Sequence, residues 1–153
     1  MSRTYQELLA EAREEIPEVD SPTLAAELDG ANVPVVIDVR EQSEWDEGFI
    51  PGAVHVPRGF LESRIAGVVT PDARIVVNCA GGARSLLAAQ TLRQMGYTDV
   101  TSLAGGFADW KRGGHAVDVP RTLSDAQRRR YSRHTLIPEV GEAGQLTLLG
   151  SKV

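Results

Sequence analysis

Ile75-Val76-Val77-Asn78-Cys79-Ala80-Gly81-Gly82-Ala83-Arg84 is the stretch on which the fold turns. It opens with a β-branched run that is apolar on both faces, the pattern of a strand buried in a parallel sheet. From Arg84 to Met95 the pattern becomes helical. Ala88, Leu92 and Met95 share one face, and Gly96 supplies a C-cap. The spacing therefore predicts a buried strand running through a glycine loop straight into a helix, with the chain's single cysteine at the bend.

Upstream, Pro34-Val35-Val36-Ile37-Asp38-Val39 reads as a second buried strand. Downstream, Val100 to Leu103 reads as a further strand and Phe107 to Lys111 as a short helix. Near the N-terminus, Tyr5, Leu8, Leu9, Ala12 and Ile16 recur at helical spacing, which predicts an amphipathic helix over residues 4–16. Thr4 and Glu7 fit a capping box, and Pro17 should end that helix. Ser21-Pro22 marks a fresh start, with Leu24, Ala25 and Leu28 on the next helix and Gly30 as its stop. Strands alternating with helices imply an α/β layered domain with a mostly parallel sheet.

The chain has 153 residues, 42% hydrophobic and 24% charged, which suits one compact domain with a short appendage. A formal charge of -5 argues against a general binder of nucleic acid or of anionic membranes. No apolar run approaches the roughly 20 residues of a membrane-spanning helix. The opening Met1-Ser2-Arg3-Thr4-Tyr5-Gln6-Glu7 has no apolar signal core, so a cytoplasmic location is expected. One cysteine excludes an intrachain disulfide, and a cytosolic redox poise would keep it reduced. A periodicity break between Gly113 and Pro120 predicts a boundary, with residues 1–119 on one side and 120–153 on the other.

A lone cysteine is usually a small buried hydrophobe. The loop around Cys79 points elsewhere. Its two central glycines, Gly81 and Gly82, let the backbone fold back so that amide N–H groups converge above a helix N-terminus. Those amides and the positive end of the helix both favour a thiolate. Such a thiolate is a nucleophile toward sulfane sulfur, and the same cradle suits the terminal anionic sulfur of a persulfide. This chemistry requires no metal, cofactor or general base.

The loop resembles that of the rhodanese family, and the resemblance extends over about a hundred residues, from about Ile16 to Asp118. Asp38-Val39-Arg40-Glu41 with Glu44-Trp45 is similar to the family's segment after its second strand. Gly48-Phe49-Ile50-Pro51-Gly52-Ala53 is similar to its Gly-His-Ile-Pro-Gly-Ala element, with Phe49 where His is common. Leu103-Ala104-Gly105-Gly106-Phe107-Ala108-Asp109-Trp110 is similar to its closing Gly-Gly and Trp signature. The resemblance implies a rhodanese-like α/β fold, with a central, mostly parallel five-stranded sheet and helices on both faces. It also implies a sulfurtransferase in which Cys79 is the persulfide-forming nucleophile. Ala80, Gly81, Gly82 and Ala83 would serve as amide donors and Arg84 as the charged closer of the loop. Thiosulfate and a protein persulfide are both open as donor. The competing reading is a non-catalytic module that uses the scaffold for protein contact or sulfide sensing.

Dual-specificity phosphatases resemble rhodaneses in fold but place five residues between cysteine and arginine. Here four residues separate Cys79 from Arg84, and Ser85 stands at the phosphatase arginine position. The shorter ring suits one sulfur atom rather than phosphate. His55, His115 and His134 have no ligand spacing, so no metal site is expected. Asp38 and Arg40 should tie loops together by charge-assisted hydrogen bonds, and His55 should be structural. Trp45 and Trp110 read as core residues, and Arg58 as a solvated surface arginine.

Leu123-Ser124-Asp125-Ala126-Gln127, Arg130-Tyr131-Ser132-Arg133-His134 and Leu136-Ile137-Pro138-Glu139-Val140-Gly141 are similar to the opening of E1-like adenylating enzymes. Those enzymes activate ubiquitin-like sulfur-carrier proteins. Arg133 matches the family's arginine that reaches ATP phosphates across a dimer. Residues 120–153 would then be a linker and the incomplete N-terminal segment of such a domain, and the chain the rhodanese half of a fusion enzyme. An adenylated carrier in a molybdopterin, thiamine or related thiolation pathway would be the sulfur acceptor. About thirty residues are too few for a core of their own, so Leu136, Ile137, Leu146, Leu148 and Leu149 are expected to be mobile or to pack against another surface.

Overall fold

The computed structural model describes residues 2–120. The expectations for residues 121–153, including the E1-like segment, Arg133 and His134, lie outside the described residues.

The first helix, α1 (Tyr5–Glu15), carries the anticipated capping box: Thr4 Oγ1 accepts the Glu7 N–H and Glu7 Oε1 accepts the Thr4 N–H. After β1 (Glu18–Val19) comes α2 (Ser21–Leu28). Its cap is Asp20, whose carboxylate accepts the Thr23 N–H at 3.0 Å, one residue before the Ser21 start read from sequence. The buried run forms β2 (Val35–Asp38), followed by α3 (Gln42–Glu47) and β3 (Val54–His55). A short α4 (Leu61–Arg64), flanked by single 3₁₀ turns, leads to β4 (Arg74–Asn78). Then follow α5 (Ala83–Gln94), β5 (Asp99–Leu103) and α6 (Gly106–Arg112).

The five strands form one sheet in the order β1-β5-β4-β2-β3, and every strand pair is parallel. The order puts β4 at the centre, with Val77 opposite Ile37 on one side and Ser102 on the other. Side-chain alternation then divides the core. Ile37, Val39, Ile75, Val77 and Cys79 pack with Ala12, Leu61, Leu86 and Leu92 of α1, α4 and α5. Val36, Val76 and Leu103 pack on the opposite face with Leu24 of α2 and with Phe107 and Trp110 of α6. Helices therefore cover both faces, as expected.

Two readings are corrected. Trp45 is half-buried rather than in the core, because α3 lies outside both apolar layers. Its ring stacks on Phe49 with centroids 3.8 Å apart and on His55 at 4.7 Å. Arg58 is not merely solvated. Its guanidinium pairs with Glu62 at 3.0 Å and donates to Thr91 Oγ1 at 3.2 Å, linking the α4 region to α5.

Candidate active site

Alternation along β4 continues one residue past the strand and turns Cys79 toward α5. The chain then reverses through Ala80, Gly81 and Gly82. Gly82, at φ 101, caps α5 in the left-handed region. A side chain there would also crowd the Gly105 amide nitrogen, 3.1 Å from the added Cβ. This reversal puts the first turn of α5 above the sulfur. Cys79 Sγ accepts the N–H of Gly82 at 3.1 Å and that of Ser85 at 3.2 Å. Both amides belong to the N-terminal turn, where helical N–H groups have no partner within the helix.

Two serines complete the sulfur's surroundings. Ser85 Oγ lies 3.4 Å from Sγ and 2.8 Å from Ser102 Oγ on β5, and both serines are fully buried. When sulfur is the thiolate, the Ser85 hydroxyl is positioned to donate to it, with Ser102 behind. Sequence reading gives neither serine a role at the sulfur. Ser85 lies next to the loop and carried a signal in its spacing from Cys79. Ser102 became visible only through the β4–β5 register.

A second helix holds the loop from the other side. Phe107 N–H donates to the Cys79 carbonyl at 2.8 Å and Ala108 N–H to the Ala80 carbonyl at 3.0 Å. This approach depends on Gly106, at φ 59. A Cβ there would sit 2.5 Å from the Cys79 carbonyl oxygen and 2.7 Å from the Ala80 carbonyl carbon. Gly106, the first residue of α6, thus has a physical reason: it lets that helix dock directly onto the cysteine loop.

Of the loop residues singled out from sequence, Gly82 alone donates its amide to Sγ; Ala80, Gly81, Ala83 and Arg84 do not bond it. Arg84 closes the loop by an unexpected route. Its guanidinium forks onto Glu44 of α3, at 3.0 Å to Oε1 and 2.9 Å to Oε2. That hydrogen bond is the main cause holding the Glu44 carboxyl down at about 2. Beneath lies the anticipated Asp38–Arg40 tie. Arg40 Nε and its terminal nitrogen bond both Asp38 oxygens, and Arg40 also donates to the Gly48 carbonyl at 2.7 Å. His55 Nε2 is 2.8 Å from the Arg40 carbonyl, consistent with its structural reading.

A cleft of about 180 Å³ opens beside the loop, lined by Arg40, Glu44, Glu47, Ala80, Phe107 and Lys111 among others. Cys79 itself is 1% exposed, so its sulfur lies under the loop rather than at the lip of the cleft. Among the described residues no group of three or more His, Cys, Asp or Glu is placed to hold a metal ion, and no helix is long and apolar enough to cross a membrane.

Comparison with known proteins assigns this α/β fold to a family. The family model for the rhodanese-like domain matches residues 21–113, and the chain belongs to that family. A sulfurtransferase of Allochromatium vinosum is 32% identical over 105 residues, 69% of this chain and 97% of that protein. YrkF of Bacillus subtilis is 34% identical over 95 residues, 62% of this chain, and the chain spans about half (51%) of its length. MoeZ of Mycobacterium tuberculosis, which is named an adenylyltransferase/sulfurtransferase, is 33% identical over 86 residues, 56% of this chain but 22% of MoeZ. These relatives support a sulfurtransferase role.

Among solved structures, RPA3614 of Rhodopseudomonas palustris matches with a TM-score of 0.70 and 33% identity, covering 77% of this chain and 96% of that one. That protein is described as of unknown function, with tyrosine phosphatase raised as a candidate activity. For the present chain the geometry argues otherwise. Position 85, where the longer phosphatase loop has arginine, holds a serine whose amide and hydroxyl are both turned inward on sulfur. Hydrolysis of a generic aryl phosphate should be undetectable beside sulfur transfer, and insertion of one residue between Gly82 and Ala83 should weaken the transfer. Phosphate release at a rate comparable to sulfur transfer would refute the loop-length argument.

Proposed function

We propose that the chain is a sulfurtransferase that receives sulfane sulfur on Cys79 as a persulfide and passes it to a thiophilic acceptor. The observation that carries this reading is the placement of Sγ under two helix-terminal amides, those of Gly82 and Ser85, on a rhodanese-like sheet. In the loading step the Cys79 thiolate attacks the outer sulfur of the donor. A new S–S bond forms, the donor's S–S bond breaks, and the leaving group departs with that electron pair as sulfite or a thiolate. The cysteine then carries a terminal anionic sulfur. The remaining amides of the loop, those of Ala80, Gly81, Ala83 and Arg84, are assigned to that outer atom, while the Arg84 side chain closes the loop on Glu44. In the second step an acceptor attacks the outer sulfur and the Cys79 thiolate is regenerated.

The wider assignment is a division at residue 119. Residues 1–119 would be the sulfur-loading domain and residues 120–153 a linker with the start of an E1-like adenylating segment. The acceptor would be an adenylated ubiquitin-like sulfur-carrier protein and the setting the cytoplasm. The resemblance of residues 123–141 and the two activities in the name of MoeZ support this reading. Chain ended after Val119 should load one sulfur atom on Cys79 as readily as the full chain, measured by intact mass after treatment with a sulfane donor. A truncated protein that stays folded yet gains no sulfur would mean that residues 120–153 belong to the active site.

The alternative, a non-catalytic binding module, draws on the burial of Cys79. A sulfur-transfer assay to cyanide separates the two, since a non-catalytic module would show no turnover whether or not Cys79 gains one sulfur.

A further inference from the structure

An anionic sulfur donor approaching the loop finds both of its arginines already engaged. Arg40 is 3% exposed and doubly bonded to Asp38. Arg84 is gripped by both oxygens of Glu44. Lys111 lies over the Phe107 ring, 5.2 Å from its centroid, in a cleft that also contains Glu47. Against these three cations stand Asp38, Glu44 and Glu47, so the approach to Ala80 carries no surplus positive charge. Of the pairs, only Arg84–Glu44 is both partly solvated and beside the sulfur loop, with side chains 38% and 32% exposed.

Glu44 does not simply follow its arginine. Its Oε1 also accepts the Glu41 N–H at 2.9 Å, inside the capping box of α3, so the carboxylate is anchored from its own helix. A dianion entering the cleft meets that fixed negative charge. It can recruit Arg84 only by breaking a bidentate pair.

We propose that Glu44 determines donor preference. By holding Arg84, it disfavours small dianionic donors such as thiosulfate and favours a persulfide carried on a cysteine of a peptide or protein. This rests on the reading of Cys79 as the sulfur acceptor. With thiosulfate, the thiolate takes the outer sulfur and sulfite leaves with the electron pair of the broken S–S bond, so two negative charges must be accommodated throughout. With a cysteine persulfide the same bond change releases a thiolate, and one charge suffices.

The test compares wild type, Glu44→Gln and Glu44→Asp in the full chain. Each is loaded with thiosulfate or with a persulfidated single-cysteine peptide that is otherwise uncharged. Glu44→Gln should lower the thiosulfate KM about tenfold at low salt, with kcat nearly unchanged and the peptide KM unmoved. Glu44→Asp retains the charge and should keep the wild-type preference. Rising ionic strength should narrow the difference, because the pair is partly solvated. The proposal is overturned if Glu44→Gln loads sulfur with the wild-type ratio of thiosulfate to peptide KM. It is equally overturned if both substitutions shift kcat and both KM values together, the mark of a purely structural role. Failure of the underlying reading looks different: no donor would load any variant, or Cys79→Ser would load as well.

Discussion

Cys79→Ser should reduce transfer of sulfur from thiosulfate or a persulfide to cyanide to the uncatalysed rate. The hydroxyl fits the same space and can still accept the Gly82 and Ser85 amides, but oxygen cannot form the S–S bond on which both half-reactions depend. Stability should fall by only about 1–2 kcal/mol, since the change is nearly isosteric although the site is buried. Denaturant unfolding would confirm that the variant is folded, so that lost turnover reports chemistry. Retained turnover would remove Cys79 from the mechanism.

Gly106→Ala should be the most damaging single methyl group in the domain. The added Cβ would meet the carbonyl oxygen of Cys79 at 2.5 Å and the Ala80 peptide at 2.7 Å, in a backbone region that alanine adopts only under strain. Neither neighbour is a flexible side-chain end that can move aside. The expected loss is about 2–4 kcal/mol, from the strained φ and the steric displacement together. The Phe107 and Ala108 hydrogen bonds to the loop would lengthen, so sulfur loading should fall even in protein that remains folded. A variant with wild-type unfolding midpoint and wild-type loading would show that the docking of α6 does not hold the loop.

The pair of predictions marks what sequence could and could not reveal. The buried β-branched runs gave β2 and β4 within a residue or two, because strands apolar on both faces fit few other structures, and the strand read at Val100 to Leu103 matches β5. The capping box gave the start of α1 for a similar reason: Thr4 and Glu7 interact within one turn. Two-residue β1 and β3 and six-residue α3 have no measurable periodicity, and their places come from tertiary pairing. That omission hid Glu44, because its partner Arg84 is 40 residues away and only the fold brings α3 to the cysteine loop. Arg84 reads on local grounds as the charged closer of the loop, but the carboxylate it closes onto lies far away in sequence. Ser102 was hidden in the same way. Gly105 and Gly106 read from sequence as a motif, but the reason for Gly106, a helix docked on two carbonyls, lies in the tertiary fold.

The most direct test of the account is the intact mass of the full 153-residue chain after brief exposure to a sulfane donor and removal of excess reagent. The account predicts a gain of one sulfur atom. Peptide mapping should locate it on Cys79, and cyanide should remove it as thiocyanate. A chain that is folded and reduced yet gains no sulfur from thiosulfate or from a peptide persulfide would contradict it.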